Sequence, residues 1–187
     1  MLSTKDFRKN LKIEIDGEPY VIVKCQHVKP GKGVAFVKTR IKSLVDGKVL
    51  DENFRSGDKV DAPDLESRDM QYLYREEHHF IFMDTDNYEQ VRLNHEAVEE
   101  ALPFLKDNLE VQVLFHKGLP INLEMPTFVV LEVTQTEPGF AGDTAQGATK
   151  AATLETGHTV EVPLYMETGE KVRVDTRTGE YVERVNE

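Results

Sequence analysis

A lysine set between two glycines is the first feature of this sequence that could do chemistry. It lies in the pentapeptide Lys29-Pro30-Gly31-Lys32-Gly33. Proline fixes its own φ and glycine tolerates positive φ, so the segment predicts a hairpin tip with Lys32 at its apex. Because glycines lack side chains, such a tip fits a narrow cleft, where the lysine ammonium can bind phosphate and ribose oxygens. The pentapeptide by itself is also compatible with a solvated turn lysine at position 32 and an ordinary surface lysine at position 29.

Charge is distributed unevenly along the chain. The formal net charge is −11, which by itself argues against a nucleic-acid binder. Residues 1–63 hold 13 Lys and Arg against 9 Asp and Glu, a net charge of +4. Residues 64–187 hold the other 10 Lys and Arg and the other 25 Asp and Glu, a net charge of −15. Within residues 24–48 only Asp46 is acidic, and the basic residues there are Lys24, Lys29, Lys32, Lys38, Arg40, Lys42 and Lys48. The sequence therefore predicts one basic end, with a solvated strand face as the simpler alternative.

Short strands must position the tip. Apolar and polar residues alternate in YVIVKCQHV before it and in VAFVKTRIKSLV after it. Asp16-Gly17 and Asp46-Gly47 predict further turns, so residues 1–64 are expected to form five short strands in an SH3-like barrel. A polar segment over residues 60–69 is expected to link this barrel to the next.

Two more β-barrels are expected after this linker. Residues 65–127 alternate as strands and contain one helical stretch, residues 94–105, which is the order of an OB-fold. Asn94 can cap this stretch and Pro103 disrupts it. Residues 128–187 repeat the strands without the helix and predict a second OB-like barrel, with a long loop over residues 137–150. The strands predicted in it are FVVLEVTQT, TVEVPL, EKVRVDT and YVERV. The predicted fold class is all-β, with three small barrels in tandem.

The adjacent His78 and His79 are the candidate metal ligands. Neighbouring residues on a strand point to opposite faces, so one is expected to face the core and the other solvent. No further ligand has convincing spacing, and no phosphate-binding glycine loop, nucleophile elbow or HExxH motif occurs. We therefore predict no metal, no cofactor and no catalytic residue. A metal or hydrolytic enzyme built on these histidines, and a general single-strand binder built on OB-folds, remain the alternatives.

The cellular location is predicted from what the chain contains. No stretch approaches the roughly 18 apolar residues of a membrane span, and the N-terminus has no apolar signal core. The single cysteine, Cys25, excludes an internal disulfide and falls in a predicted strand. A cytoplasmic protein with no membrane partner is expected.

The segment KAATLETGHTVEVPLYMETG resembles the signature of the elongation factor P family in its third domain. The matching positions are Lys150, Ala152, Gly157, Val160, Val162, Pro163, Met166 and Gly169. The KPGKG loop resembles the family's modification loop, at the same distance from the start, and the ending GEYVERV also fits. The resemblance covers essentially all of the chain.

This resemblance implies a fold and a function. Members of the family are three-barrel, elongated, L-shaped mimics of transfer RNA. They bind the ribosome between its peptidyl and exit sites, contact peptidyl-tRNA, and stimulate peptide-bond formation at stalled runs of proline. Such a factor is not an enzyme, and it is expected to be a monomer.

The resemblance also implies roles for particular residues. Lys32 would carry a β-lysyl or aminoalkyl extension added by a lysine-modifying enzyme. A lysine at this position departs from the rhamnosylated branch of the family, so that sugar is not expected. The rest of the tip would contact tRNA through Lys29, Pro30, Gly31 and Gly33.

Two further sets of residues match positions with roles in the family. Gly142, Asp143 and Thr144 match a loop that approaches the exit-site codon and the small subunit, although the residues alone indicate an ordinary turn. Tyr181 and Arg184 match positions that touch peptidyl-tRNA, where tyrosine stacks or hydrogen-bonds and arginine binds phosphate. Taken alone, the same pair fits a barrel tyrosine and a surface arginine.

Overall fold

The computed structural model describes residues 1–139 and 147–186 of the chain. Within these ranges the regular secondary structure is nearly all β-strand, with one short α-helix, which confirms the predicted all-β class. It divides into two compact units, residues 1–68 with 113–122 and residues 69–112 with 123–187. Among the described residues, no helix is long and apolar enough to cross a membrane. The predicted domain boundaries, after residues 64 and 127, stay predictions.

The first six strands surround a small core. They are β1 (Leu2–Ser3), β2 (Lys12–Ile15), β3 (Glu18–Val28), β4 (Phe36–Ser43), β5 (Val49–Arg55) and β6 (Lys59–Val60). Strands β2 to β5 form one antiparallel sheet in sequence order, and β1 pairs with β6. The buried core residues are Phe7, Ile13, Ile22, Val37 and Ile41. Four of these residues, Ile13, Ile22, Val37 and Ile41, are apolar positions of the strands predicted from alternation, so that prediction agrees with the core.

Strand β3 carries a β-bulge. Ile22 pairs with Ile41 and Lys24 with Arg40, so Val23 is an extra residue on β3. Val23 and Lys24 are both exposed, whereas Ile22 is fully buried. Such a bulge bends the strand and increases its twist, so the end of the hairpin follows a different direction from its base.

The next five strands are β7 (Leu65–Glu76), β8 (His79–Asp84), β9 (Gln90–Asn94), β10 (Glu110–His116) and β11 (Leu119–Glu124). They form one sheet in the order β11-β10-β7-β8-β9. Because β7 begins at Leu65, the linker predicted over residues 60–69 is too long. The charged residues of LESRD hide a strand that the hydrophobic pattern alone does not show.

The helix is shorter than the predicted range of residues 94–105. An α-helix, α1 (His95–Val98), is followed by a 3-10 helix over Glu99–Ala101. The Asn94 side chain accepts a hydrogen bond from the Ala97 backbone N–H at 3.1 Å, so the predicted N-cap is confirmed.

Pro103 explains why the helix tightens. It has no N–H to donate to the Glu99 carbonyl. The Leu102 N–H is shared between the Val98 carbonyl at 3.1 Å and the Glu99 carbonyl at 3.3 Å, and the second bond has 3-10 spacing. The chain then turns and places Phe104, only 5% exposed, in the core of the C-terminal sheet. The Phe104 ring also meets the His158 ring edge-on, with their centroids 5.3 Å apart.

The C-terminal strands are β12 (Phe128–Thr136), β13 (Thr149–Leu154), β14 (Thr159–Pro163), β15 (Lys171–Asp175) and β16 (Tyr181–Val185). They form a sheet in the order β14-β13-β12-β15-β16. Strand β13 was not predicted, and its first residues, Thr149 and Lys150, lie in the range predicted as a loop. Its two alanines and one lysine are residue types depleted in strands, which gives a weak strand signal.

One carboxylate holds the β10–β11 turn to strand β2 within the first unit. Glu14 Oε1 lies 3.1 Å from His116 Nε2 and 3.5 Å from Lys117 Nζ. The Lys117 backbone N–H also donates to the Asp64 carbonyl at 3.2 Å. The hydrogen bond with His116 lowers the pKa of Glu14, burial opposes this shift, and Lys117 adds to the lowering. The folded state therefore favours the ionised carboxylate.

Replacement of Phe104 tests the packing of the helical segment. Phe104→Ala is expected to destabilise the second unit by about 3–5 kcal/mol, because it removes a buried ring and leaves a cavity. Native-state hydrogen exchange of the β12 and β15 amides measures the loss. Phe128→Ala removes a ring that is 46% exposed and serves as the control. Equal effects of the two substitutions would contradict a core role for Phe104.

The pH dependence of stability tests the Glu14 cluster. Since the folded-state pKa of Glu14 is lowered from 4.5, its contribution exists above that pH and is lost as pH falls through the folded pKa. Glu14→Gln is therefore expected to have a lower Tm than the wild type at about pH 7, and the difference should shrink towards about pH 3. Thermal melts of both proteins measure it, with Glu52→Gln on exposed β5 as control. A constant difference across this range would refute the ionic contribution.

Candidate functional site

The predicted hairpin is formed by β3 and β4. Their antiparallel register ends at the pair Val28–Phe36, which leaves residues 29–35 as the connection. Lys32 lies in the middle of this connection and is exposed. The other predicted tip residues are exposed as well: Lys29, Pro30, Gly31 and Gly33. The structure thus brings the five predicted tip residues together at the end of one hairpin.

The backbone conformation differs between the two glycines beside Lys32. Gly33 has a φ of +112°, a backbone conformation that L side chains rarely adopt. Gly31 has no such φ, and a Cβ atom built on it would meet no atom within 4 Å. The fold therefore requires glycine at position 33 but not at position 31.

A polar groove runs along the outer face of the same hairpin. It has a volume of about 300 Å³ and is lined by Lys24, Gln26, Lys38, Thr39, Arg40, Asp51 and Asn53. Lys24 lies opposite Arg40 across the strands, and Gln26 lies opposite Lys38. Three of the seven basic residues noted in the charge distribution, Lys24, Lys38 and Arg40, thus share this groove with amide side chains, which suits contact with phosphates and sugars.

Arg40 and Asp51 make a two-point ion pair at the edge of this groove. Arg40 Nε and Nη2 donate to the two Asp51 carboxylate oxygens at 2.9 and 3.3 Å. This hydrogen bonding raises the pKa of Arg40 and lowers the pKa of Asp51. The guanidinium plane is therefore oriented before any ligand arrives.

Strand β16 places Tyr181 and Arg184 in one cluster of side chains. Arg184 Nη1 donates to Glu170 Oε1 at 3.3 Å, and its Cζ lies 5.2 Å from the centroid of the Tyr165 ring. Burial, followed by the neighbouring Tyr165 side chain, raises the pKa of Tyr181 to about 12. Tyr181 therefore stays a neutral hydrogen-bonding group at physiological pH.

Sequence reasoning missed two members of this cluster, Tyr165 and Glu170. Tyr165 lies between a predicted strand, TVEVPL, and a predicted turn, ETGE, inside the segment that resembles the family signature. Nothing in the spacing of Tyr165 and Arg184 along the chain indicates that their side chains meet. The contact depends on how β14 and β16 are placed around the barrel.

Two other sets of predicted residues have different outcomes. Gly142, Asp143 and Thr144 lie outside the described residues, and their role stays a prediction. The prediction that one of His78 and His79 faces the core is wrong, because both side chains are exposed. Glu77 adopts a φ of +53° in the turn between β7 and β8, and this turn interrupts the alternation that would have buried one histidine.

Within residues 1–139 and 147–186, no three His, Cys, Asp or Glu side chains are arranged to hold a metal ion. His78 and His79 instead line an open depression with Arg75, Asn94, His95 and Glu96.

Comparison with known proteins assigns the family. The matching profiles are Elongation factor P (EF-P) KOW-like domain over residues 3–60, Elongation factor P (EF-P) OB domain over residues 65–123, and Elongation factor P, C-terminal over residues 129–184. Elongation factor P of Coprothermobacter proteolyticus is 52% identical over 185 residues, which cover 99% of this chain and 100% of that protein. Elongation factor P of Moorella thermoacetica is 52% identical over 184 residues, or 98% and 100%. The chain belongs to the elongation factor P family.

This membership makes the protein a translation elongation factor and implies the ribosome as a partner. It also confirms the KOW-like (SH3-like) and OB-type nature of the domains. A solved structure of "Eukaryotic translation initiation factor 5A from Methanococcus jannaschii" aligns with a TM-score of 0.55 and 23% identity. The alignment covers 66% of this chain and 91% of that one, and at this identity it supports the fold alone.

Substitution of the two tip glycines separates folding from function. Gly33→Ala is expected to destabilise the hairpin by about 1–3 kcal/mol, because alanine is strained at this φ. Gly31→Ala should change the unfolding free energy by less than about 0.5 kcal/mol, since the added methyl group meets open space. Amide hydrogen exchange along β3 and β4 measures both effects. A larger loss for Gly31→Ala than for Gly33→Ala would contradict the assigned backbone roles.

Proposed function

We propose that this elongation factor binds the ribosome between the peptidyl and exit sites and stimulates peptide-bond formation at stalled runs of proline. The observation that supports this most directly is the exposed Lys32 in the connection between β3 and β4. The polar groove on the same hairpin, which Lys24, Lys38 and Arg40 line, supports contact with the acceptor arm of peptidyl-tRNA. The ribosome makes the bond, and the factor acts as a monomer that orients the tRNA.

Lys32 is the residue that enters the peptidyl-transferase centre. Its four-carbon chain ends in a cation, and a β-lysyl or aminoalkyl extension adds reach and further donors. The extension requires a lysine-modifying enzyme as a second partner. Exposure of the whole tip leaves Lys32 accessible to both the enzyme and the ribosome.

The proposed effect is one of positioning. Proline restricts its own φ and is a secondary amine, so it aligns poorly for attack on the peptidyl ester. Contacts that hold the tRNA end in place lower the entropic cost of reaching the reactive geometry. A tenfold acceleration requires only about 1.4 kcal/mol, which one or two RNA contacts from the tip can supply.

The remaining predicted contacts belong to the same proposal. Tyr181 and Arg184 contact peptidyl-tRNA, and Gly142, Asp143 and Thr144 approach the small subunit and mRNA. The charge of −15 over residues 64–187 disfavours phosphate contacts over most of that region. RNA contact there is therefore confined to local clusters such as the one on β16.

Substitution of Lys32 tests the mechanism. Lys32→Ala is expected to reduce synthesis of a polyproline reporter to the level without factor, because the group that reaches the tRNA is gone. Lys32→Arg should fail equally, since it keeps the charge but cannot accept a lysine modification. In vitro translation of reporters with and without a proline run measures both effects.

Controls accompany this test. Lys9→Ala removes another exposed lysine from the same compact unit and should leave the reporter unchanged. The mass of the Lys32 peptide from the native source should show the added group. Full polyproline synthesis by Lys32→Ala would sink the proposed mechanism.

A further inference from the structure

Glu14 carries a largely buried carboxylate that the proposed function does not use. Its side chain is 15% exposed, and the side chain of His116 is 10% exposed. Glu14 Oε1 lies 3.1 Å from His116 Nε2 and 3.5 Å from Lys117 Nζ. Because an ionised carboxylate only accepts hydrogen bonds, His116 Nε2 carries the proton of this contact. Two donors at the end of β10 therefore share one acceptor on β2.

The partners in this contact belong to different domains of the chain. Glu14 belongs to the KOW-like domain, whereas His116 and Lys117 belong to the OB domain. His116 ends β10, one of the five strands of the sheet β11-β10-β7-β8-β9. Glu14 lies on β2, which pairs with β3, the first strand of the hairpin that carries Lys32. The contact therefore connects the sheet that leads to the tip with the sheet of the OB domain.

The backbone of Lys117 is strained. It adopts a φ of +51°, which is uncommon outside glycine and persists where the surroundings fix it. Its backbone N–H donates to the Asp64 carbonyl at 3.2 Å. Its Nζ lies 4.0 Å from the place that a Cβ atom on Gly17 would take, so the ammonium also reaches the turn between β2 and β3. The β10–β11 turn is thus held through both its backbone and its side chains.

Strand β3 transmits any movement at Glu14 to the tip. Glu14 lies opposite Pro19 near the start of β3, and the strand runs for 11 residues from Glu18 to Val28. At about 3.3 Å per residue this is a distance of about 33 Å, so a rotation of about 10° at its base moves its far end by about 6 Å. A misplacement of only about 1 Å can cost about 100-fold in the rate of a positioned reaction.

We propose that Glu14 is a positioning residue, which holds β2 against the β10–β11 turn through His116 and Lys117 and so fixes the direction of the hairpin that carries Lys32. Glu14 touches no RNA in this role. The inference rests on the proposed function, because direction matters only if the tip must reach a defined place on the ribosome. Loss of Glu14 leaves the factor folded, but its tip takes the productive direction for less of the time.

Hydrogen exchange tests whether Glu14 holds the turn. In Glu14→Ala the Lys117 amide, which donates to the Asp64 carbonyl, is expected to exchange about tenfold faster or more. The amides of the β3–β4 ladder should stay within about threefold of the wild type, because the opening is local. Unchanged exchange at Lys117, or an equal acceleration of all these amides, would overturn the inference.

Translation of the polyproline reporter tests the positioning role. At temperatures well below the Tm of the variant, the maximal rate with Glu14→Ala is expected to fall about fivefold or more. The factor concentration that gives half of the maximal rate should stay within about threefold of the wild type, since no RNA contact is lost. A purely stabilising contact would lower the Tm without changing this maximal rate. A wild-type maximal rate combined with faster exchange at Lys117 would contradict the proposal.

Two controls accompany this measurement. The mass of the Lys32 peptide should be the same in Glu14→Ala and the wild type, which excludes lost modification as the cause of a lower rate. Glu52→Ala removes an exposed carboxylate from β5 in the same compact unit and should change neither exchange at Lys117 nor the rate.

Lys117→Glu provides a second variant in case Glu14→Ala fails to fold. The Lys117 side chain is 56% exposed, so the substitution spares the core, and it places a like charge beside Glu14. We expect the same loss of maximal rate. The double variant Glu14→Lys with Lys117→Glu restores opposite charges and should recover the rate. No loss in the single variant, or no recovery in the double variant, would refute the positioning role.

The variants at position 32 separate this inference from the proposed function. If Lys32→Ala keeps full polyproline synthesis, the proposed function is wrong and the inference about Glu14 falls with it. If Lys32→Ala loses polyproline synthesis while Glu14→Ala and Lys117→Glu keep the wild-type rate, only the inference about Glu14 is wrong.

Discussion

The two-residue period of the β-strand is the constraint on which the first compact unit depends. Successive side chains on β4 point to opposite faces, so Val37, Thr39 and Ile41 are buried while Lys38 and Arg40 face solvent. One strand therefore supplies both the core that holds the fold and the basic face beside the tip. The ladder between β3 and β4 also holds the two ends of the connection that carries Lys32.

Much of this arrangement could be read from the sequence, because its causes are local. Proline and glycine define the tip, and alternation defines the strands that flank it. The Asn94 cap was found for the same reason, since a cap needs only a few residues of context. The strands β12, β14, β15 and β16 were also recognised from alternation within single segments. The family resemblance then supplied functions that spacing alone left open.

The features that were missed depend on parts of the chain that are distant in sequence or on weak local preferences. Strand β13 contains two alanines and a lysine, residue types depleted in strands, and becomes a strand through its pairing with β12 and β14. The exposure of His78 and His79 follows from a turn at Glu77, a residue type with no strong turn signal. Tyr165 meets Arg184 only after the barrel closes, so no local pattern announces their contact.

The β-bulge at Val23 affects the direction of the hairpin but not which side chains lie on each of its faces. Lys24 faces Arg40 on the outer side with the bulge present, and a regular ladder without Val23 would pair the same two residues on the same side. Loss of Val23 would therefore straighten the β3–β4 hairpin. The side chains that face the core and those that face solvent would stay the same. Evolution can thus alter where the tip aims by insertion or deletion, and what the tip carries by substitution. The two properties can be inherited and selected independently.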